Sequence, residues 1–305
     1  MDSTLRLENI TKVLGHREVL KGVTFSLNKG DIFGYLGSNG AGKTTTIRII
    51  LDLLKPTSGE LVVLGEKADK REIRNKIGFM LDADGLYNNM SPVENLVFYS
   101  KIYGLNDNMA TIKKLIEFVG LKNRMSEKVF KFSKGMRQRL SFARALVHNP
   151  QIIILDEPLS GIDPPGRIEF RKLMLEVAQS ENKTIFLSSH DLSEVEKLCN
   201  RVALIDQGII RSQGDLDTLK KNMDTGVVTI CFDGQLSDTL IAEIKGKDNF
   251  GYQNLNENEL RFAPKAKVSD LVSFLAGQGV KIRSVNKQEA SLEDVYSSIL
   301  KSEEK

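Results

Sequence analysis

An α/β protein with a parallel sheet at its core and a small α+β domain at its C-terminal end is predicted by three features of this 305-residue chain. Between residues 152 and 206 short apolar strands alternate with helical stretches, the rhythm of parallel strands joined by crossover helices. Three apolar strands run straight into glycine-rich or polar residues at their carboxyl ends, where open α/β sheets carry their ligands. After about residue 219 the pattern becomes a smaller β-α-β-β-α-β order. The expected division is therefore residues 1–219 and residues 220–305.

Taken in order, residues 5–10 and 22–27 alternate with period two and suit half-buried strands. Residues 31–36 form a buried-strand candidate that enters a glycine loop. Residues 43–54 are apolar almost all round, which predicts a fully buried helix, and Lys55-Pro56-Thr57-Ser58-Gly59 stops it before a strand over 60–64. Residues 84–149 read as mostly helical. Ser91-Pro92-Val93-Glu94 is a helix start, with serine as cap, proline in the first helical position and glutamate reaching back to the cap amide. Strands at 152–155, 184–188 and 202–206 alternate with helices at 167–179 and 193–200. In the C-terminal part, strands at 227–232 and 280–285 flank helices near 236–244 and 268–276. A last helix begins at Ser291, and the whole suits a two-layer, ferredoxin-like unit.

Bulk properties narrow the function. A hydrophobic fraction of 41%, a charged fraction of 27% and a net charge of +3 are those of an ordinary globular chain, without the clustered basic field of a nucleic-acid binder. The two cysteines, Cys199 and Cys231, lie in separate segments, which fits a reducing compartment better than a disulfide framework. The opening residues MDSTLRLENI carry both charges and lead into no apolar run, so neither a signal nor a transit peptide is expected. No stretch reaches the roughly 20 apolar residues of a membrane span. Any link to a membrane is expected to come through a partner.

The strongest chemical signal is Gly37-Ser38-Asn39-Gly40-Ala41-Gly42-Lys43-Thr44, followed by Thr45, which fits the phosphate-loop pattern G-x-x-x-x-G-K-[ST]. Small residues let the backbone wrap phosphate oxygens with its N–H groups pointing inward, and the helix that follows turns its positive end to the same anion. Lys43 supplies a point charge for the β and γ phosphates of ATP, and the Thr44 hydroxyl is a ligand for Mg²⁺. Ile152-Ile153-Ile154-Leu155-Asp156-Glu157 delivers two carboxylates from a buried strand, Asp156 for the metal and Glu157 for the attacking water. Alone, such a pair is equally a strand leaving the core; behind a phosphate loop the catalytic reading prevails. Ile185-Phe186-Leu187-Ser188-Ser189-His190 places His190 in the same way, within reach of a γ phosphate. The other histidines, His16 and His148, read as solvated surface groups.

The segment Phe132-Ser133-Lys134-Gly135-Met136-Arg137-Gln138-Arg139 lies about 20 residues before Asp156, and Ser160-Gly161-Ile162-Asp163 follows the acidic strand. With the phosphate loop and His190 in the same order, the chain resembles the ATP-binding cassette (ABC) ATPases over about residues 4–215. The Phe132 segment matches their LSGGQ signature. The resemblance implies the P-loop ABC ATPase fold, with a parallel core, an antiparallel β subdomain and a helical subdomain at about residues 84–149. It implies that Ser133 and Gly135 hold the γ phosphate of an ATP bound to a second copy of the ATPase, in a homodimer or related heterodimer. The 160–163 loop then contacts the partner copy. Closest in pattern are the ATPase subunits of bacterial antibiotic-peptide and drug exporters, of the bacitracin and lantibiotic-immunity type, many with a small C-terminal domain. That type implies a separate transmembrane permease, contacted through residues 86–104, and a peripheral position on the cytoplasmic face of the cell membrane.

Departures from the family pattern accompany the match. Asp82 stands where a metal-contacting glutamine is usual, and Leu14 where an aromatic side chain stacks on adenine, which should hold the base less firmly. Lys134 and Met136 replace a glycine and a glutamine of the signature. Residues 220–305 carry no catalytic constellation, and a regulatory or dimer-stabilising role is expected of them. Two further readings stay open: an ABC-type ATPase acting on DNA or ribosomes, and an ATP-dependent switch with little hydrolysis. The first usually shows paired cassettes, a long coiled-coil insertion or zinc cysteines, none of which occurs here; an intact Glu157 argues against the second.

Overall fold

A long β-hairpin opens the chain in the computed structural model, which describes residues 3–67, 71–81, 84–106, 109–180, 182–221, 227–247, 250–256, 258–263, 266–288 and 291–301. Its arms are β1 (Ser3–Leu14) and β2 (Arg17–Asn28), and the turn between them uses Gly15 with φ +61°. There follow β3 (Ile32–Leu36), α1 (Lys43–Ile50), β4 (Ser58–Val63), β5 (Glu66–Lys67), α2 (Arg71–Arg74) and β6 (Ile77–Met80). Next come α3 (Pro92–Ile102), α4 (Met109–Phe118), α5 (Lys134–Leu146), β7 (Ile152–Asp156), α6 (Pro164–Ser180), β8 (Thr184–Ser189), α7 (Leu192–Glu196), β9 (Arg201–Asp206) and β10 (Ile209–Asp215). The chain divides here into two units, Met1–Asp215 and Leu216–Lys305.

The first unit holds two sheets. One is antiparallel, in the order β2-β1-β4-β5; the other runs β10-β9-β3-β8-β7-β6 and is parallel except for β10. Every residue of β3, β7 and β8 is buried, as strands covered on both faces require. Phe25 from β2 stacks on Phe33 and Phe186 with ring centroids 5.4 and 5.8 Å apart, and so joins the two sheets in one core. The parallel register pairs Leu36 with Ser189, Asp156 with Ser188 and Met80 with Leu155. Four strand ends therefore share one edge, and the loops leaving that edge are the phosphate loop, Glu157, His190 and Leu81.

The helix after the phosphate loop is shorter than the apolar pattern predicts. It ends at Ile50, with Asp52 in a left-handed turn (φ +56°), and Thr44 and Arg48 are exposed one helical turn apart. The Ser91 start forms as expected: Ser91 Oγ accepts from the Glu94 N–H (3.2 Å) and Glu94 accepts from the Ser91 N–H (2.6 Å). That backbone donor, with Lys128 beside it, holds the Glu94 carboxyl down at about 2. His148 is not the solvated group expected. Its ring lies half-buried against Tyr103, centroids 3.7 Å apart, with Nε2 bonded to the Ile77 carbonyl (3.1 Å). Burial pulls its pKa down to about 4. Among the described residues no helix is long and apolar enough to cross a membrane.

The second unit begins with α8 (Leu216–Lys221) and continues through β11 (Val227–Asp233), α9 (Asp238–Lys245), β12 (Tyr252–Asn256), β13 (Glu259–Phe262), α10 (Val268–Gly277), β14 (Lys281–Gln288) and α11 (Leu292–Lys301). Its sheet is wholly antiparallel, in the order β12-β13-β11-β14. Val228, Ile230, Phe232, Leu260 and Phe262 project from one face of that sheet onto Ile244, Leu271 and Leu275 of the two helices α9 and α10.

Candidate functional site

The phosphate loop leaves β3 and enters α1 through a backbone that only glycine fits at two points. A Cβ on Gly37 would stand 2.3 Å from the Ile205 carbonyl oxygen, and Gly42 has φ +115°. Gly42 caps α1 without a side-chain hydrogen bond, so the helix turns its amide end to the loop's hollow. Lys43 is buried; its ammonium donates to the carbonyl oxygens of Gly37 (2.6 Å) and Ser38 (3.2 Å) and lies 3.6 Å from Glu157 Oε1.

The acidic pair sits opposite. Asp156 Oδ2 accepts from Thr44 Oγ1 at 3.4 Å, and Oδ1 accepts from Ser188 Oγ at 2.5 Å. Burial raises the Asp156 pKa, the adjacent Glu157 adds to the rise, and the Ser188 bond opposes it. Two oxygen donors beside a loop of the phosphate-binding pattern suit a hard cation, since Mg²⁺ takes one or two protein ligands and fills its remaining positions with phosphate and water. Asp82, the third expected metal contact, lies outside the described residues. Among those described, no group of three His, Cys, Asp or Glu side chains converges as a metal site by itself.

Glu157 has φ +49°, a left-handed conformation that few non-glycine residues adopt. Its N–H is held by Ser188, by the carbonyl at 3.2 Å and the hydroxyl at 3.1 Å. Its other carboxylate oxygen, Oε2, is 2.9 Å from His190 Nδ1. His190 is aimed in turn by its neighbours: Ser189 Oγ accepts from the Asp191 N–H, and Asp191 caps α7 and pairs with Arg167.

These groups line a cleft of about 570 Å³, whose walls include Ser38, Asn39, Gly40, Gly42, Lys43, Thr44, Thr45, Asp156, Glu157 and His190. Leu14, at the tip of β1 and 44% exposed, is in that wall. So are Arg17, Val19 and Ser160, which sequence reasoning did not single out as cleft residues. Arg17 directly faces Leu14 across the hairpin, a pairing that only the hairpin register reveals. Ala41 is buried beneath the loop. Ser133 and Gly135 are elsewhere: Ser133 is the exposed cap of α5, accepting from the Met136 N–H at 3.3 Å, and neither residue lines the cleft of its own chain. The helix starts at Lys134, so the serine is its cap.

The family model described as ABC transporter matches residues 20–160. The bacitracin transport ATP-binding protein of Bacillus licheniformis is 36% identical, over 98% of each chain. The chain belongs to the ABC transporter family. The linearmycin resistance ATP-binding protein of Bacillus subtilis is 32% identical over 97% of each chain. Among solved structures, an ATP-binding subunit of an ABC transporter aligns with TM-score 0.65 and 29% identity, over 72% of this chain and 92% of its own. The cbiO1 subunit of Clostridium perfringens, described as part of an ABC transporter complex, gives TM-score 0.66 and 26% identity over 73% and 92%. The protein is therefore the ATP-binding, ATP-hydrolysing subunit of a transporter.

Proposed function

We propose that Glu157 is the general base of ATP hydrolysis and that the subunit powers a separate permease exporting a drug or antibiotic peptide. The observation that carries the site reading is the Glu157 carboxylate, held between Lys43 on one oxygen and His190 on the other. In that position it can take a proton from water as the water oxygen bonds to the γ phosphorus and the bridging oxygen departs with ADP. Lys43 and the amides of Gly37 to Thr44 bind and orient the phosphates, Leu14 lies against the adenine, and His190 contacts the γ phosphate. Thr44, Asp156 and Asp82 are the residues to hold Mg²⁺, which when bound neutralises phosphate charge.

Ser133 and Gly135 complete the site from a second copy of the ATPase. An exposed serine cap on the 13-residue helix α5, away from its own cleft, suits an anion brought by a partner. Ser133→Arg should leave ATP binding by a single chain within about two-fold while abolishing ATP-dependent pairing, because a bulky cation replaces the cap. Light scattering with and without ATP checks this; pairing that survives the change would refute the assignment.

The exporter reading rests on the bacitracin and linearmycin relatives. The permease would hold the subunit at the cytoplasmic face of the membrane. The exposed Tyr87 and Ile102 in the 86–104 segment suit that contact. The second unit, read as a ferredoxin-like accessory domain, would support pairing or regulation. Purification from membranes without high salt should bring down a multispan membrane protein; nucleic acid in its place would overturn the transport reading.

A further inference from the structure

Outside the cleft, the geometry points to Asp84 and Arg137 as a positioning pair: a clamp that fixes the first turn of α5, and with it Ser133, relative to the carboxylates at the end of β7. This inference rests on the site reading above. Arg137 grips Asp84 with both arms of its guanidinium, Nε to Oδ2 at 2.7 Å and Nη2 to Oδ1 at 3.1 Å. Its remaining nitrogen, Nη1, donates to Asn88 Oδ1 at 2.7 Å. An exposed ion pair contributes little to stability, but this one is a planar fork meeting two acceptors, with each partner only 24% exposed.

Helical geometry gives the pair its leverage. Arg137 follows Ser133 by four residues and Ser141 follows Ser133 by eight, so all three lie along one face of α5. Ser141 Oγ donates to the Asp84 carbonyl at 3.3 Å, so two successive turns of α5 are fastened to one residue of the loop after β6. A turn further on, Arg144 donates to the Phe79 carbonyl at 2.9 Å and lies over the Phe79 and Tyr99 rings. On the adjoining face, Gln138 Nε2 donates to the Ser160 carbonyl at 3.2 Å. A cavity of about 190 Å³ between these segments is bounded by Asp84, Lys134, Arg137 and Gln138 together with Asp156 and Glu157. The clamp thus shares an enclosure with the reactive carboxylates. A tilt of α5 by an ångström at its tip would displace the serine while leaving the phosphate loop untouched, and misplacements of that size cost up to about 100-fold in rate.

The test uses the full-length chain, Mg²⁺ and ATP. Asp84→Asn and Arg137→Lys are each expected to lower kcat about 10-fold, with KM for ATP and the Kd of a fluorescent ATP analogue within about two-fold of the parent. The lysine keeps the charge and loses the fork, so its failure to substitute separates aiming from simple charge. The double variant should fall no further than either single one, since both remove the same link. Unchanged kcat in either single variant, multiplied losses in the double, an equal loss of nucleotide affinity, or a chain that no longer folds would each overturn the proposal. Glu157→Gln assayed alongside keeps the two readings apart. Full turnover there removes the site assignment; lost turnover there, with Asp84→Asn unaffected, removes only the clamp.

Discussion

Glu157→Gln should lower kcat by about 1000-fold and leave ATP bound, with the nucleotide-loaded chains trapped as pairs. The loss falls within the 10²- to 10⁴-fold contribution of a well-placed general base. The amide keeps the shape of the side chain and can still bond His190, so the pocket persists while the proton acceptor is gone. It also removes a negative charge 3.6 Å from the Lys43 ammonium, at the edge of the site where the triphosphate enters. Binding of ATP therefore strengthens as turnover collapses. Single-turnover hydrolysis together with gel filtration in ATP reads both effects, and unaltered turnover would show that another group activates the water.

The opposite nucleotide behaviour is expected of Lys43→Ala. Truncating one partner of a buried, hydrogen-bonded charge pair across a binding interface costs about 2–5 kcal/mol, which corresponds to a loss of affinity of roughly 30-fold or more. The ammonium is buried, and its loss leaves the Glu157 carboxylate facing the phosphates without the cation 3.6 Å from it. Titration with a fluorescent ATP analogue should show weak binding and no ATP-dependent pairing. The two substitutions concern residues in contact, yet one should trap nucleotide and the other release it. That contrast distinguishes a base from a phosphate anchor, and binding by Lys43→Ala at parental strength would refute the anchor role.

Much of this site was legible because the sheet writes itself locally. The runs 152–155 and 185–187 are uninterrupted apolar stretches, as strands covered on both faces must be, and each stops at a polar residue just where the chain leaves the sheet. The phosphate loop was legible for a similar reason, since close backbone approach admits only small residues and leaves glycines at fixed offsets. Other features depend on pairings that no local pattern records. Arg17 and Val19 reach the cleft through the register of a hairpin, and Arg137 meets Asp84 across 53 positions of sequence. The strands β6 and β10 were not anticipated: one is four residues long, the other an edge strand of mixed composition. His148 misled because histidine beside Asn149-Pro150 looks like a loop, whereas Tyr103 supplies an aromatic lid.

The left-handed backbone at Glu157 sets activity and comfort against one another. The residue precedes Pro158, whose ring disfavours helical torsions in its neighbour, so two covalent preferences oppose the conformation that Ser188 enforces. Glycine would relax there and aspartate would suffer less, but the first has no carboxylate and the second falls a methylene short. A chain selected only for thermal endurance would abandon this posture. A chain that uses Glu157 as the proposed base is obliged to keep a residue in this posture.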